Sequence, residues 1–89
     1  MDVIYKYELN AFGSPVWLPV GAEVISAGRK GSGLFIWAIV DAEEKGTEQR
    51  SFAIYGTGHE MKVNVDHFFI QTIMFDDFVF HVFEVKGDI

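Results

Sequence analysis

Apolar and polar residues alternate with a period of two along most of this chain, and helical spacing is almost absent. Near the N-terminus, Tyr5, Tyr7 and Leu9 share one face of an extended segment, and Lys6 and Glu8 share the other. Such alternation is typical of a β-strand with one buried face. The pattern therefore predicts strands rather than helices.

Two later segments refine this prediction. Leu34 to Val40 is apolar on both faces and rich in aromatic and β-branched residues, so we expect a central strand that is covered on both sides and buries Trp37. A short extended piece, Val16 to Pro19, ends in a proline that cannot donate a ladder hydrogen bond. That proline places the piece at the edge of a sheet.

Turn residues separate the extended segments. Gly13, Ser14 and Pro15 mark one turn, and Gly28 to Gly33 is expected to form a glycine-rich hairpin loop. Asp76-Asp77 lies between two apolar segments and predicts a two-residue hairpin. Together the segments predict a single all-β domain over residues 1–89, a small antiparallel sandwich or barrel of about seven strands with little or no helix.

The apolar content is high for so short a chain. Hydrophobic residues make up 49% of the 89 residues, with nine phenylalanines and two tryptophans. A small monomer has few places to bury this much aromatic surface, so the composition predicts a homo-oligomer, most simply a dimer. Because the chain has no cysteine, disulfides cannot contribute to its stability.

Charge narrows the set of partners. The net charge is −6, and the seven lysines and arginines are scattered along the chain, which argues against a nucleic-acid partner and against an anionic membrane surface. The longest apolar run, residues 34–40, is far shorter than the ~20 residues that span a bilayer. The N-terminal residues lack the pattern of a signal peptide, so we expect a cytoplasmic protein.

No set of residues predicts catalysis, a cofactor or a metal site. His59, His67 and His81 are not spaced as metal ligands usually are, although carboxylates lie near them in the sequence. The serines have no nucleophile-elbow context, and neighbouring acids such as Asp76-Asp77 are typical of solvated loops. We therefore expect a protein that is not an enzyme.

The strongest candidate for a binding site is a Gly-Thr-Gly-His turn that follows a strand. Its two glycines allow close approach of another molecule, freed backbone N–H groups favour an acceptor or an anion, and the histidine donates or accepts near neutral pH. The simpler alternative is that the glycines only permit a tight exit from the strand. The predicted contact set is Arg50, Tyr55, Gly56, Thr57, Gly58 and His59.

Several motifs resemble those of a group of small uncharacterised proteins found mainly in tailed bacteriophages and prophages. The resemblance covers nearly the whole chain. Its most specific pieces are Trp37-Ala38-Ile39-Val40-Asp41, Tyr55-Gly56-Thr57-Gly58-His59 and Val79-Phe80-His81-Val82-Phe83-Glu84. It implies a phage or prophage source and the cytoplasm of a host cell, and it assigns no activity or site residue.

This resemblance favours one class of function over two others. Small acidic phage proteins without catalytic residues often bind a host protein or a small signalling molecule, so we expect a non-enzymatic accessory protein that acts by binding, including against host defence. The alternatives are a structural or virion-associated β-module and a small enzyme with an unrecognised site.

Overall fold

The computed structural model describes residues 1–10 and 15–87, and all the regular structure in these residues is β-strand. The strands are Asp2–Leu9 (β1), Val16–Pro19 (β2), Glu23–Lys30 (β3), Gly33–Asp41 (β4), Thr47–Gly56 (β5), Asp66–Phe75 (β6) and Phe78–Lys86 (β7). The predictions of an all-β fold and of about seven strands are confirmed. The turn predicted at residues 13–15 falls largely outside the described residues.

Two antiparallel sheets form the fold. The first sheet has the order β1-β4-β3, and the second sheet has the order β2-β5-β7-β6. The molecule measures 41 × 32 × 17 Å, and its short dimension fits two packed sheets with side chains on their outer faces. Of the two predicted architectures, the fold is therefore a sandwich and not a closed barrel. No helix in residues 1–10 and 15–87 is long and apolar enough to cross a membrane.

The core lies between the inner faces of the sheets. On the first sheet, every second residue of β4 is buried, which is the period that a strand imposes. The second sheet supplies buried side chains from each of its four strands. The buried cluster includes Ile36, Ala38, Val40, Leu18, Phe52, Ile73 and Val82.

The outer face of β4 differs from the prediction. β4 is the central strand of its sheet, as predicted, but only its inner face is fully buried; Trp37 on the outer face is mostly buried, as predicted, and part of it stays exposed. The indole lies over Gly28 of the neighbouring strand, where an added Cβ would come 3.0 Å from the ring. Gly28 therefore belongs to a strand, and the predicted six-residue loop is a two-residue turn at Gly31-Ser32.

Both hairpin turns place their first residue in the left-handed region. Gly31 has φ of +61°, as expected for a turn with glycine at its first central position. Asp76 has φ of +53° in the turn between β6 and β7, so the two-residue hairpin predicted at Asp76-Asp77 is confirmed. The edge position predicted for Pro19 is also confirmed, because β2 ends the second sheet.

One long connection joins β5 to β6, which run parallel on either side of β7. It starts at the Gly-Thr-Gly-His turn and returns along the outer face of the second sheet. The Lys62 amide donates to the hydroxyl oxygen of Tyr55 at 3.1 Å, and Val65 reaches Gly87 at the far end of β7. This connection places the candidate turn at one end of the sandwich.

Candidate functional site

The Gly-Thr-Gly-His turn is held to two strands by backbone hydrogen bonds. The His59 amide donates to the carbonyl of Gly56 at 3.1 Å, and the Thr57 amide donates to the carbonyl of Val79 at 3.2 Å. Gly58 has φ of +89°, a conformation that side chains with a Cβ rarely adopt. The turn is therefore a fixed feature of this end of the sandwich.

Gly56 has a different structural role from Gly58. It lies in β5 without a positive φ, but an added Cβ would come 2.9 Å from the Cε1 and Nδ1 atoms of His59. Glycine is thus needed at position 56 so that the imidazole ring can pack against the strand. The prediction that the glycines permit close approach of another molecule stays a prediction, because the group that lies against Gly56 here is the protein's own histidine.

The His59 ring lines an apolar pocket of about 380 Å³, which we call the end pocket. It lies where the β3–β4 hairpin, the end of β5 and the β6–β7 hairpin meet. Ile54 and Gly56 point to the same side because they are two residues apart on one strand. The complete lining is Ser32, Leu34, Ile54, Gly56, His59, Phe75, Phe78 and Phe80.

The chemistry of the end pocket is apolar with one polar ring. His59 is the titratable residue of the lining, and neither lysine nor arginine contributes to it. The Arg29 guanidinium lies 4.1 Å from the ring centroid of Phe75 and donates to the carbonyl of Gly31, so this charge is already engaged. An uncharged apolar or aromatic group is the occupant that such a lining favours.

The rim of the end pocket carries aromatic surface and acid. Phe78 is 62% exposed and stacks on Phe80 with ring centroids 6.1 Å apart. A second, smaller hollow of about 230 Å³ adjoins the same turn, and its lining includes Thr57, Asp77 and Phe78. An apolar pocket beside an exposed acid is complementary to a ligand that carries a hydrophobic group with a positive charge near it.

Two residues of the predicted contact set face away from the end pocket. On the outer face of the second sheet, the Thr57 hydroxyl lies 2.9 Å from Nε2 of His81, whose Nδ1 lies 3.0 Å from the Thr72 hydroxyl. The Tyr55 hydroxyl lies 2.8 Å from Nε2 of His67. These side chains connect neighbouring strands and the β5–β6 connection, and the end pocket does not include them.

Arg50 is separated from the turn by six positions of β5, roughly 20 Å at the rise of a strand. Its guanidinium forms a bidentate ion pair with Glu84, with Nη2 to Oε1 at 2.9 Å, and donates to the carbonyl of Ala22 at 2.8 Å. The hydrogen bonds that Arg50 donates to the carboxylate of Glu84 raise the pKa of Arg50 above its ordinary value. Both side chains are nearly buried. The ion pair connects β5 to β7, and the hydrogen bond to Ala22 connects β5 to the residue before β3.

The described residues contain no group of three or more histidines and acids that could hold a metal ion. His59 lies at the end pocket, while His67 and His81 lie in separate hydrogen-bonded contacts on the outer face. His59 and Asp77 share the lining of the smaller hollow, but among the described residues no third histidine or acid joins them in a group that could hold a metal ion.

The contact set predicted from the sequence includes two lining residues of the end pocket, Gly56 and His59, but not its apolar wall. That wall consists of Leu34, Ile54, Phe75, Phe78 and Phe80. The period of two could have assigned Ile54 to the face of Gly56. The three phenylalanines could not be placed there, because the pairing of β7 with β5 is not visible in the sequence pattern.

The chain matches a family model described as Domain of unknown function (DUF7352) over residues 1–89. Neither the curated proteins nor the solved structures include a match to the chain.

Proposed function

The chain belongs to this family of unknown function, and from the geometry of the end pocket we propose that the protein acts by binding a partner and not by catalysis. The observation that supports this proposal is an apolar pocket of about 380 Å³ beside the turn that holds His59 against Gly56. Its volume lies within the ~300–1,000 Å³ range of ligand pockets. A strand exit alone does not require a glycine whose role is to admit a histidine ring.

The proposed occupant is an aromatic or aliphatic side chain of a partner protein. Phe78 on the rim is exposed and offers a ring for stacking, and Asp77 belongs to the adjoining hollow. An anchor side chain followed by lysine or arginine would combine burial in the pocket with attraction to the rim. Binding would therefore select a hydrophobic anchor in a basic context.

The resemblance to phage and prophage proteins suggests which partner this is. We propose that it is a host protein and that the protein is a phage accessory protein that masks a host surface, including a component of host defence. The net charge of −6 favours a basic host surface through long-range attraction. A virion-associated module is the alternative in which the same pocket binds another phage protein.

A small uncharged ring compound is the second candidate ligand, because the volume of the end pocket also suits a molecule of that size. A phosphorylated signalling molecule fits less well, since no cationic side chain contributes to the lining and Asp77 lies close by.

The test compares two alanine variants on the same hairpin. Phe78→Ala removes the exposed ring at the rim, whereas Met74→Ala removes an even more exposed side chain that points to the outer face. Wild type and both variants are immobilised, exposed to a bacterial host lysate, and their bound proteins quantified by mass spectrometry. We expect a protein retained by wild type and Met74→Ala and lost from Phe78→Ala. Equal retention by all three forms would contradict the proposal.

A further inference from the structure

The four edge strands of the two sheets differ in how well they are protected against further pairing. Unpaired strand edges offer rows of N–H and C=O groups, and proteins block them with bulges, proline or short strands. β2 has four residues and ends in Pro19. β3 is interrupted by a bulge at Ile25 and β6 by one at Ile70, and these two strands lie against each other at one side of the sandwich.

β1 has none of these protective features. It pairs with β4 over eight consecutive residues without a shift in register, and it contains neither proline nor glycine. Within the described residues no strand pairs with its other edge. Of the four edges, β1 is therefore the one that is long, regular and open.

Apolar side chains lie exposed at the centre of this edge. Ile4 on the outer face is 58% exposed, and Tyr5 on the inner face is 53% exposed although it lies beside Ala38, which is fully buried. Tyr5 points toward the core layer and yet remains in contact with solvent. Another strand beside β1 would cover both side chains at once, one on each face.

We infer that β1 pairs with β1 of a second copy of this chain, antiparallel and about a twofold axis, so that two first sheets join into one of six strands. A twofold axis perpendicular to the sheet keeps inner residues opposite inner residues. This condition, together with the period of two, allows only registers in which the axis passes through a residue of β1.

Charge selects among these registers. An axis at Tyr5 would place Asp2 opposite the partner's Glu8, and an axis at Lys6 would place the two lysines opposite each other; like charges directly opposite are destabilising. An axis at Ile4 places Asp2 opposite the partner's Lys6 on both sides of the axis. An axis at Tyr7 would pair Lys6 with the partner's Glu8 but would leave Ile4 beyond the apolar contacts.

We therefore assign the axis to Ile4. In this register the two Ile4 side chains face each other on the outer face, and Tyr5 lies opposite the partner's Val3 on the inner face. In the single chain the Lys6 ammonium lies 4.7 Å from the ring centroid of Phe35, and its flexible four-carbon stem lets it turn from this ring toward the partner's Asp2 when the strands pair. One short segment of β1 then covers its exposed apolar residues and forms both charge pairs.

The dimer contact is independent of the end pocket. The axis lies near Ile4, which pairs with Ile39, whereas the pocket lies at the other end of β4, where Leu34 pairs with Leu9. Failure of dimer formation would leave the proposed binding function untouched, and failure of partner binding would leave the dimer untouched.

Charge reversal tests both the edge and the register. Wild type, Asp2→Lys, Lys6→Asp, the double variant and the matched control Glu8→Lys are analysed by sedimentation equilibrium over a concentration series. We expect a wild-type particle of twice the 10.1 kDa of one chain. Each single reversal at position 2 or 6 should raise the dissociation constant about tenfold, the double variant should restore it, and Glu8→Lys should leave it unchanged.

Three results would overturn the inference. They are a wild type that stays monomeric at high micromolar concentration, a dimer that ignores both reversals, and a dimer broken by Glu8→Lys but not by Asp2→Lys. Circular dichroism of each variant checks that it is folded. Amide hydrogen exchange gives a second readout, because Val3 to Tyr5 should become protected as the dimer forms, and unchanged exchange there would also count against strand pairing.

Discussion

Gly56 and Gly58 flank the same threonine, but an added methyl group should affect them differently. Gly58→Ala strains a backbone with φ of +89° and should lower the free energy of unfolding by about 1 kcal/mol. Gly56→Ala meets only the ring of His59, an exposed side chain that can turn away, so it should cost less stability and change the wall of the end pocket.

Urea unfolding of both variants measures the loss of stability. Titration with the neutral aromatic probe N-acetyl-L-tryptophanamide measures the change in the wall of the end pocket. A Gly56→Ala protein with an unaltered pocket and a stability loss as large as that of Gly58→Ala would contradict this assignment.

The ion pair of Arg50 and Glu84 should be the most sensitive polar contact of the protein. Arg50→Ala leaves the carboxylate of Glu84 nearly buried without its partner, which should cost about 3–5 kcal/mol. The matched control is Arg29→Ala: the exposed guanidinium of Arg29 packs on Phe75 and donates to the carbonyl of Gly31, and its loss should cost about 0.5–1 kcal/mol. Chemical denaturation of both variants tests this order, and comparable losses would disprove it.

The pH dependence of this pair follows from the raised pKa of Arg50. A cationic group with a raised folded-state pKa contributes fully below its ordinary pKa, and this contribution is lost only as pH rises through the raised value. We therefore expect no loss of stability from this pair between neutral pH and the mildly alkaline range. A pH series of denaturation midpoints for wild type and Arg50→Ala checks the expectation, because the difference between them should stay constant there.

At the scale of the elements, the two faces of β4 should contribute differently to the free energy of unfolding. Ile36 is fully buried, and Ile36→Ala should cost about 2–5 kcal/mol. Trp37 is partly exposed and covers Gly28 on the outer face, so Trp37→Ala should cost less, about 1–2 kcal/mol. Thermal melts of both variants give the comparison. A larger loss for Trp37→Ala would mean that the outer face of the first sheet is covered in solution.

The β6–β7 hairpin carries a strained turn residue. Asp76 has φ of +53°, which costs a residue with a Cβ about 1 kcal/mol or more, whereas Asp77 does not have a positive φ. Asp76→Gly should therefore stabilise the protein by about 0.5–1 kcal/mol after the entropy cost of glycine. Asp77→Gly is the control and should give no gain. The denaturation midpoints of the two variants decide the question, and a gain at position 77 alone would refute the turn geometry.

The sequence predicted the strands and the last hairpin better than it predicted which strands pair with each other. Alternation in β1 and the pair Asp76-Asp77 are local signals, so the strands and the last hairpin could be assigned correctly. The ion pair of Arg50 could not be predicted, because it depends on the pairing of β5 with β7. That pairing, which sets Phe52 opposite Glu84, joins distant parts of the chain. The same limit hid the end pocket, whose phenylalanines approach His59 only after β7 has paired with β5.

At the scale of the whole molecule, the two proposed contact surfaces lie at opposite ends of the sandwich. The end pocket, with His59 and Phe78, is the proposed contact for a partner, and the edge of β1 is the proposed contact between copies. This arrangement would present two end pockets on one dimer. Two weak contacts made together strengthen binding to a partner that carries two copies of its anchor.

The end pocket as a binding site for an uncharged aromatic group is the central claim, and it is tested most directly by NMR titration of the ¹⁵N-labelled protein. N-acetyl-L-tryptophanamide is the neutral aromatic probe, and AMP is the anionic control. We predict saturable shifts of the amides of Leu34, Ile54 and Phe75 with the tryptophan amide, weaker shifts in Gly56→Ala, and no response of these amides to AMP. Absence of saturable shifts, or the same shifts with AMP, would contradict the claim.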